Sequence, residues 1–190
     1  MPKNNELVSL PRRRFLGAMA SFPLAVASVS VATAADADGL TDWGAAPDFR
    51  GITQWLNAPA LTMADLRGKL VLVDFWTFAC INCLRTLPHV NRWAETYRDQ
   101  GLVVVGVHTP EFAFERSTSN LQATMRRHGV KHAVAMDNGY ATWKAYDNSY
   151  WPSHYLVDGR GRIRYRHFGE GAYDRTEAAI RTLLAKPGRA

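Results

Sequence analysis

The chain holds two cysteines in 190 residues, and they stand as Cys80-Ile81-Asn82-Cys83. Two intervening residues put both sulfurs within disulfide reach across one helical turn. The thiolate is the reactive form of cysteine. Backbone N–H groups and the positive end of a helix dipole lower its pKa from about 8.5 into a range of about 3.5 to 7.5. Cys80, at the start of a helical pattern, is the candidate nucleophile. Cys83, one turn deeper, is the candidate resolving thiol that attacks a mixed disulfide. The chemistry is dithiol–disulfide exchange, which calls for no cofactor and no metal.

Asp74 stands six residues before Cys80, inside the apolar run Val71 to Phe75. Alternation along a strand points its side chain under the Cys pair. A desolvated carboxylate has a raised pKa and exchanges a proton with Cys83; the other reading is an Asp bound to local amides at a strand end. Two further readings of the cysteines compete. One is a pair of inert buried thiols. The other is a zinc site with His128 and His132, but 44 residues separate Cys83 from His128 and Gly129 interrupts the histidines, unlike zinc-finger spacing.

The elements that position these residues follow from periodicity. Leu70 to Trp76 reads as a buried strand. Cys80 to about Asp99 reads as an amphipathic helix with Leu84, Leu87, Val90, Trp93, Ala94 and Tyr97 inward, kinked at Pro88 and stopped by Gly101. Leu102 to Val107 is a second strand. Residues 111 to 128 read as a second helix with Leu121, Met125 and Phe114 inward. Strands follow at Ala133 to Met136 and Ser153 to Val157, with a short helix from Gly139 to Tyr146 between them. Arg162 to Phe168 forms a hairpin with the latter strand, and Tyr173 to Leu184 is a closing helix. Near the start, Trp55-Leu56 and Leu61 suggest a small hairpin, and Thr62 with Asp65 caps a turn ending at Gly68. This order predicts an α/β domain with a mixed central sheet and helices on both faces.

Asp-Phe-Trp, three residues, then Cys-x-x-Cys resembles the thioredoxin family. Asp74, Pro88 five residues after Cys83, and Trp151-Pro152 ahead of a strand fit the same resemblance. Trp76 to Pro88, His108-Thr109-Pro110-Glu111-Phe112-Ala113-Phe114-Glu115 and Tyr150 to Tyr155 are similar to the TlpA-like branch, and most closely to the thioredoxin-like domain of DipZ-type proteins. The resemblance implies a thioredoxin fold with an N-terminal extension and an αβ insertion. It implies a cis-proline at Pro152 against Cys80, with the backbone at Trp151 pairing to an extended substrate segment. Trp76, Ile81, Asn82 and Trp151 are the substrate-binding candidates it implies. It places a Glu near the Cys pair; Glu111 is read either as tuning thiol acidity or as a charge at a helix start. DipZ-type proteins join such a domain to a membrane electron-transfer module.

The N-terminus reads as an address. Pro11-Arg12-Arg13-Arg14-Phe15-Leu16-Gly17 resembles the twin-arginine export motif. A weakly apolar run follows, then Ala32-Thr33-Ala34 before Ala35. The expected organisation is a signal peptide over 1–34, a linker over 35–45 and a thioredoxin-like domain over 46–190. A periplasmic or secreted location follows, with an uncleaved, membrane-anchored form as the variant. The formal charge of +6 falls to +3 once Lys3, Arg12, Arg13, Arg14 and Glu6 are set aside, leaving 19 basic and 16 acidic residues. That balance argues against nucleic acid as a partner. Arg160, Arg162, Arg164 and Arg166 alternate as on a solvated sheet face.

Three functions are carried forward. The first is an exported thiol–disulfide oxidoreductase, monomeric, acting on protein thiols and disulfides in envelope redox homeostasis or cytochrome c maturation, and fed by a membrane donor of the DsbD or CcdA kind. The second is a peroxiredoxin-like peroxidase, since Thr77-Phe78-Ala79-Cys80 matches Thr-x-x-Cys. The third is an electron carrier dedicated to one membrane partner.

Overall fold

A computed structural model describes residues 39–185. The segment read as a signal peptide lies outside the described residues. Six strands form one sheet: β1 (Gln54–Leu56), β2 (Leu70–Trp76), β3 (Leu102–His108), β4 (Ala133–Met136), β5 (Ser153–Val157) and β6 (Ile163–Phe168). Four helices accompany them: α1 (Ile81–Tyr97), α2 (Thr118–Arg127), α3 (Ala141–Ala145) and α4 (Tyr173–Leu184). The strand order is β1-β4-β3-β2-β5-β6. β2, β3 and β4 run parallel; β5, β6 and β1 pair antiparallel to their neighbours.

β2 is central, and all seven of its residues are buried. That is why it reads as a continuous apolar run rather than an alternating one. Its odd positions, Val71, Val73 and Phe75, pack with Trp143 and with Met63 and Leu66. Its even positions, Leu70 and Leu72, pack with Val90 and Trp93 of α1 and with Ile180 and Leu183 of α4. Trp76 continues the even face into a third cluster with Cys83, Leu87, Leu121 and Met125. Helices therefore cover both faces, and parity puts Asp74 on the α1 side. Among the described residues no helix is long and apolar enough to cross a membrane.

Several local expectations are corrected. Residues 55–61 do not form a hairpin: β1 pairs instead with β4. The Asn57 amide donates to the carbonyl oxygens of Val130 and His132 at 3.0 and 3.1 Å, so a long-range ladder displaces the local one. Residues 111–128 are not one helix. A 3-10 turn over Ala113–Arg116 ends at Ser117, whose extended backbone starts α2, and Phe114 is 55 % exposed rather than inward. Arg164 does not lie on a solvated face. It is buried, with guanidinium nitrogens 3.4 Å from Asp158 and 3.2 Å from the Leu40 carbonyl. Residues 40–46 run along the outer edge of β6, where Trp43 N–H donates to Ile163 O and Ile163 N–H to Gly44 O, both at 2.9 Å. Arg166 lies 3.5 Å over the Trp43 ring. The strap covers part of an otherwise open sheet edge.

Candidate active site

β2 ends at Trp76 and a three-residue loop delivers Cys80 to the start of α1. Cys80 is the N-cap, with extended backbone at φ −82° and ψ 110°. Its Sγ accepts a hydrogen bond from the Cys83 N–H at 3.2 Å. Serine or aspartate oxygen ordinarily fills that role; here sulfur does, so the helix end stabilises negative charge on the sulfur. Cys80 is partly exposed and Cys83 is buried, 1 % exposed. The Cys83 thiol first, and then the backbone N–H groups of Cys83 and Asn82, hold the Cys80 thiol down to about 7 against burial and the Glu111 charge. Burial first, then Cys80 and the Asp74 charge, push Cys83 up. The two sulfurs are thus strongly differentiated: the outer one is ionised near neutral pH and the inner one is held as a thiol.

Asp74 is buried, 1 % exposed, and its charge reaches Cys83. It sits opposite Gly106 on β3 and His154 on β5. Trp151 and Pro152 lead into β5, joined by a cis peptide bond. The Trp151 indole N–H donates to Thr109 O at 3.1 Å, and its ring packs 4.2 Å from Trp143. Trp151, Phe78 and Cys80 all lie against the cluster built on Trp76 and Cys83. Ile81 is 58 % exposed and Asn82 is exposed beside it. Trp76, by contrast, is fully buried. Its Nε1 would stand 2.8 Å from a Cβ added at Gly106, so this glycine makes room for the indole. Trp76 thus lies in the core beside Cys83, whereas Ile81 and Asn82 are open to solvent.

The glutamate behind the loop is Glu115, which the sequence reading did not single out. Its carboxylate accepts from the Thr77 hydroxyl and from Ala79 N–H at 2.8 Å. Its other oxygen accepts from the backbone N–H groups of Glu111 and Phe112 at 2.8 and 2.9 Å. Burial opposes its ionisation, but the hydrogen bonds from Thr77, Ala79, Phe112 and Glu111 outweigh it and hold the carboxyl below its usual value. One buried carboxylate therefore ties the loop before Cys80 to the loop after β3. Glu111 itself is exposed, and its charge raises the Cys80 thiol rather than lowering it. The available signal was the second Glu of Glu111-Phe112-Ala113-Phe114-Glu115, which a 3-10 turn folds back inward.

His108 was also unassigned. Its Nε2 is 3.3 Å from the Thr77 hydroxyl, and Phe78 stacks on its ring at 5.4 Å. Burial pushes His108 down to about 4 despite the nearby Glu115, so it is neutral at physiological pH.

A family model described as the AhpC/TSA family matches residues 44–166. Protein DipZ of Mycobacterium tuberculosis (strain CDC 1551 / Oshkosh) is 50 % identical over 154 residues, covering 78 % of this chain and 22 % of DipZ. The chain thus spans about a fifth of that relative. Thiol-disulfide oxidoreductase YkuV of Bacillus subtilis (strain 168) is 28 % identical over 140 residues, covering 74 % of this chain and 94 % of YkuV. Among solved structures, thioredoxin-like superfamily protein SPOA0173 superposes with a TM-score of 0.70 at 28 % identity, covering 76 % of this chain and 99 % of that one. The sheet order, the Cys pair at the mouth of α1 and these likenesses agree: the chain has a thioredoxin-like fold and belongs to the AhpC/TSA family.

Proposed function

We propose that this chain is an exported thiol–disulfide oxidoreductase that reduces protein disulfides with the Cys80–Cys83 dithiol. The observation that carries the reading is the asymmetry of the pair: a partly exposed sulfur at a helix start, ionised near neutral pH, backed by a buried thiol one turn away. The Cys80 thiolate attacks one sulfur of a substrate disulfide and displaces the other as a thiolate. Cys83 then gives its proton to Asp74 and attacks the Cys80 sulfur. A Cys80–Cys83 disulfide forms and the substrate leaves with both sulfurs reduced, the protein having lost two electrons and the substrate gained two. Asp74 is the proton acceptor because it is the buried carboxylate whose charge reaches Cys83. The backbone at Trp151, beside cis-Pro152, pairs with an extended substrate segment, flanked by Ile81 and Asn82. The likeness to thiol-disulfide oxidoreductase YkuV supports the exchange chemistry of this reading, and the arginine-led residues 11–17 support its export. Its clients on this reading are envelope proteins, including apocytochrome cysteines, and its electrons come from a membrane donor of the DsbD or CcdA kind.

A peroxidase is the second reading, favoured by the family match. Thr77 argues against it, since its hydroxyl is held by Glu115 rather than turned to Cys80. The Cys83→Ser variant, which arrests exchange at the mixed disulfide, tests the reading in cells. Expected are trapped protein clients linked through Cys80, and insulin-reducing activity in the wild type only. Peroxide consumption that survives Cys83→Ser, with no trapped clients, would replace the reductase by a peroxidase. A single trapped membrane protein would replace it by a dedicated carrier.

A further inference from the structure

The exchange chemistry uses Asp74 but leaves unused two histidines that stand in line with it. The register sets Asp74 of β2 against His154 of β5, and His154 against His167 of β6. His154 lies on the α1 face, with Trp93 of α1 edge-on to its ring at 5.8 Å. Its Nε2 is 3.3 Å from Asp74 Oδ1, and both side chains are 1 % exposed. The His154 and His167 rings are 6.2 Å apart. Among the described residues, Asp74 Oδ1, both His154 ring nitrogens and His167 Nε2 are buried without an aligned hydrogen bond. Three such groups side by side on three strands cost stability that apolar residues there would not. Orphaned polar groups of this kind call for an explanation, and a catalytic role is one.

We propose that His154 and His167 are a proton relay linking Asp74, and through it the Cys83 thiol, to solvent at the β6 edge. The relay rests on the reading of Cys80–Cys83 as an exchanging dithiol. When Cys83 attacks the mixed disulfide, its proton goes to Asp74. Asp74 passes it to His154 Nε2, the other ring nitrogen of His154 releases one toward His167, and His167 gives it to solvent. A ring rotation or one bridging water closes the last gap. Reduction of the Cys80–Cys83 disulfide by a dithiol donor runs the same chain in reverse, and the forward step needs no oxidant beyond the substrate disulfide. Burial first, and then the His154 charge, hold His167 below the ordinary histidine value, so it is free to accept a proton at neutral pH. The groups that bias this path are Asp74 on β2, Cys83 on α1, His167 on β6, Arg175 on α4, whose charge acts on His167, and His132 ahead of β4, which feels the Asp74 charge. His89 of α1 and Tyr173 of α4 stack on each other near Trp93.

The test is stopped-flow reaction of the reduced full chain with excess 5,5′-dithiobis(2-nitrobenzoate) over about pH 5 to 9. Attack by Cys80 releases the first thionitrobenzoate and attack by Cys83 the second, so the first phase is an internal reference. The relay predicts that His154→Gln and His167→Gln slow the second phase by about a hundredfold relative to the first, the lower end for a lost acid–base group, and flatten its pH dependence near neutrality. His167 is only half-buried, so its variant carries the test if His154→Gln fails to fold. A second phase at the wild-type rate in folded variants, or both phases slowed equally, overturns the relay. Slowing in Asp74→Asn alone removes the histidines and keeps Asp74. A wild type that releases only one thionitrobenzoate overturns the dithiol reading itself.

Discussion

Glu115 accepts the backbone N–H of Ala79 at 2.8 Å, one residue ahead of Cys80, while its second oxygen holds Glu111 and Phe112. The position of the Cys80 sulfur is therefore set by a carboxylate 35 residues away in sequence. Replacing it with an amide turns one acceptor into a donor facing an N–H group. Glu115→Gln is expected to cost about 1–3 kcal/mol of stability, the range for an unsatisfied buried polar group. It is also expected to lower the rate of Cys80 alkylation at neutral pH. Urea midpoints and iodoacetamide kinetics check both. A variant as stable and as reactive as the wild type would show that the loop holds itself.

The two thiols are expected to titrate apart. Cys80 alkylation should follow a midpoint of about 7, while Cys83, pushed up by burial, stays unmodified through mildly alkaline pH in the folded protein. Peptide mapping after brief iodoacetamide pulses at stepped pH reads both sites. Equal labelling of the two cysteines would remove the asymmetry on which the mechanism rests.

Acid should weaken the domain in two windows. His108 sits at about 4 when folded and near the ordinary histidine value of 6.5 when unfolded. Between those values the unfolded chain binds more protons, so stability falls as pH drops from 6.5 to 4. Glu115 is depressed when folded, so its contribution is present above the ordinary carboxylate pKa and is lost as pH falls through the lower folded value. His132 is likewise pushed down to about 4 by burial, so His108→Gln is expected to make the first window shallower without abolishing it, and to leave the second. Denaturant midpoints at pH 7, 6, 5 and 4 measure the slopes.

Phe112 and Phe114 are half-exposed and stacked on each other at 5.7 Å, and Phe114 reaches Phe78 beside the Cys pair at 5.9 Å. Exposed aromatics near a reactive sulfur suit protein substrates rather than small ones. Replacing both with Ala is expected to change stability by roughly 0.5 kcal/mol or less, as for surface sites. It should slow insulin reduction several-fold while glutathione disulfide reduction stays unchanged. Equal loss on both substrates would assign the pair to folding instead.

Much of this molecule is legible from local chemistry. β2 announces itself because a central parallel strand must be apolar on both faces, and β4, β5 and α4 fall where periodicity puts them. Gly101, at φ +98°, stops the chain after α1 because its backbone needs the left-handed region. The reading strains where a residue's partner is far away in sequence. Phe114 looks inward by helical spacing, yet Glu115 turns back to satisfy two backbone N–H groups and breaks that helix into a 3-10 turn. Arg164 looks solvated by alternation, yet Asp158 and the Leu40 carbonyl bury it.

The sequence by itself determined the chemistry on offer: two sulfurs one helical turn apart after a buried strand, an acid within that strand and a proline ahead of another. Spacing along one chain segment suffices for that, because helix and strand geometry are local. Only the tertiary structure decided which carboxylate anchors the loop, which tryptophan is floor and which is wall, and that two histidines stand in line with Asp74. Those relations are set by sheet register and by the folding back of loops, and contacts of that kind have no period that a sequence can display.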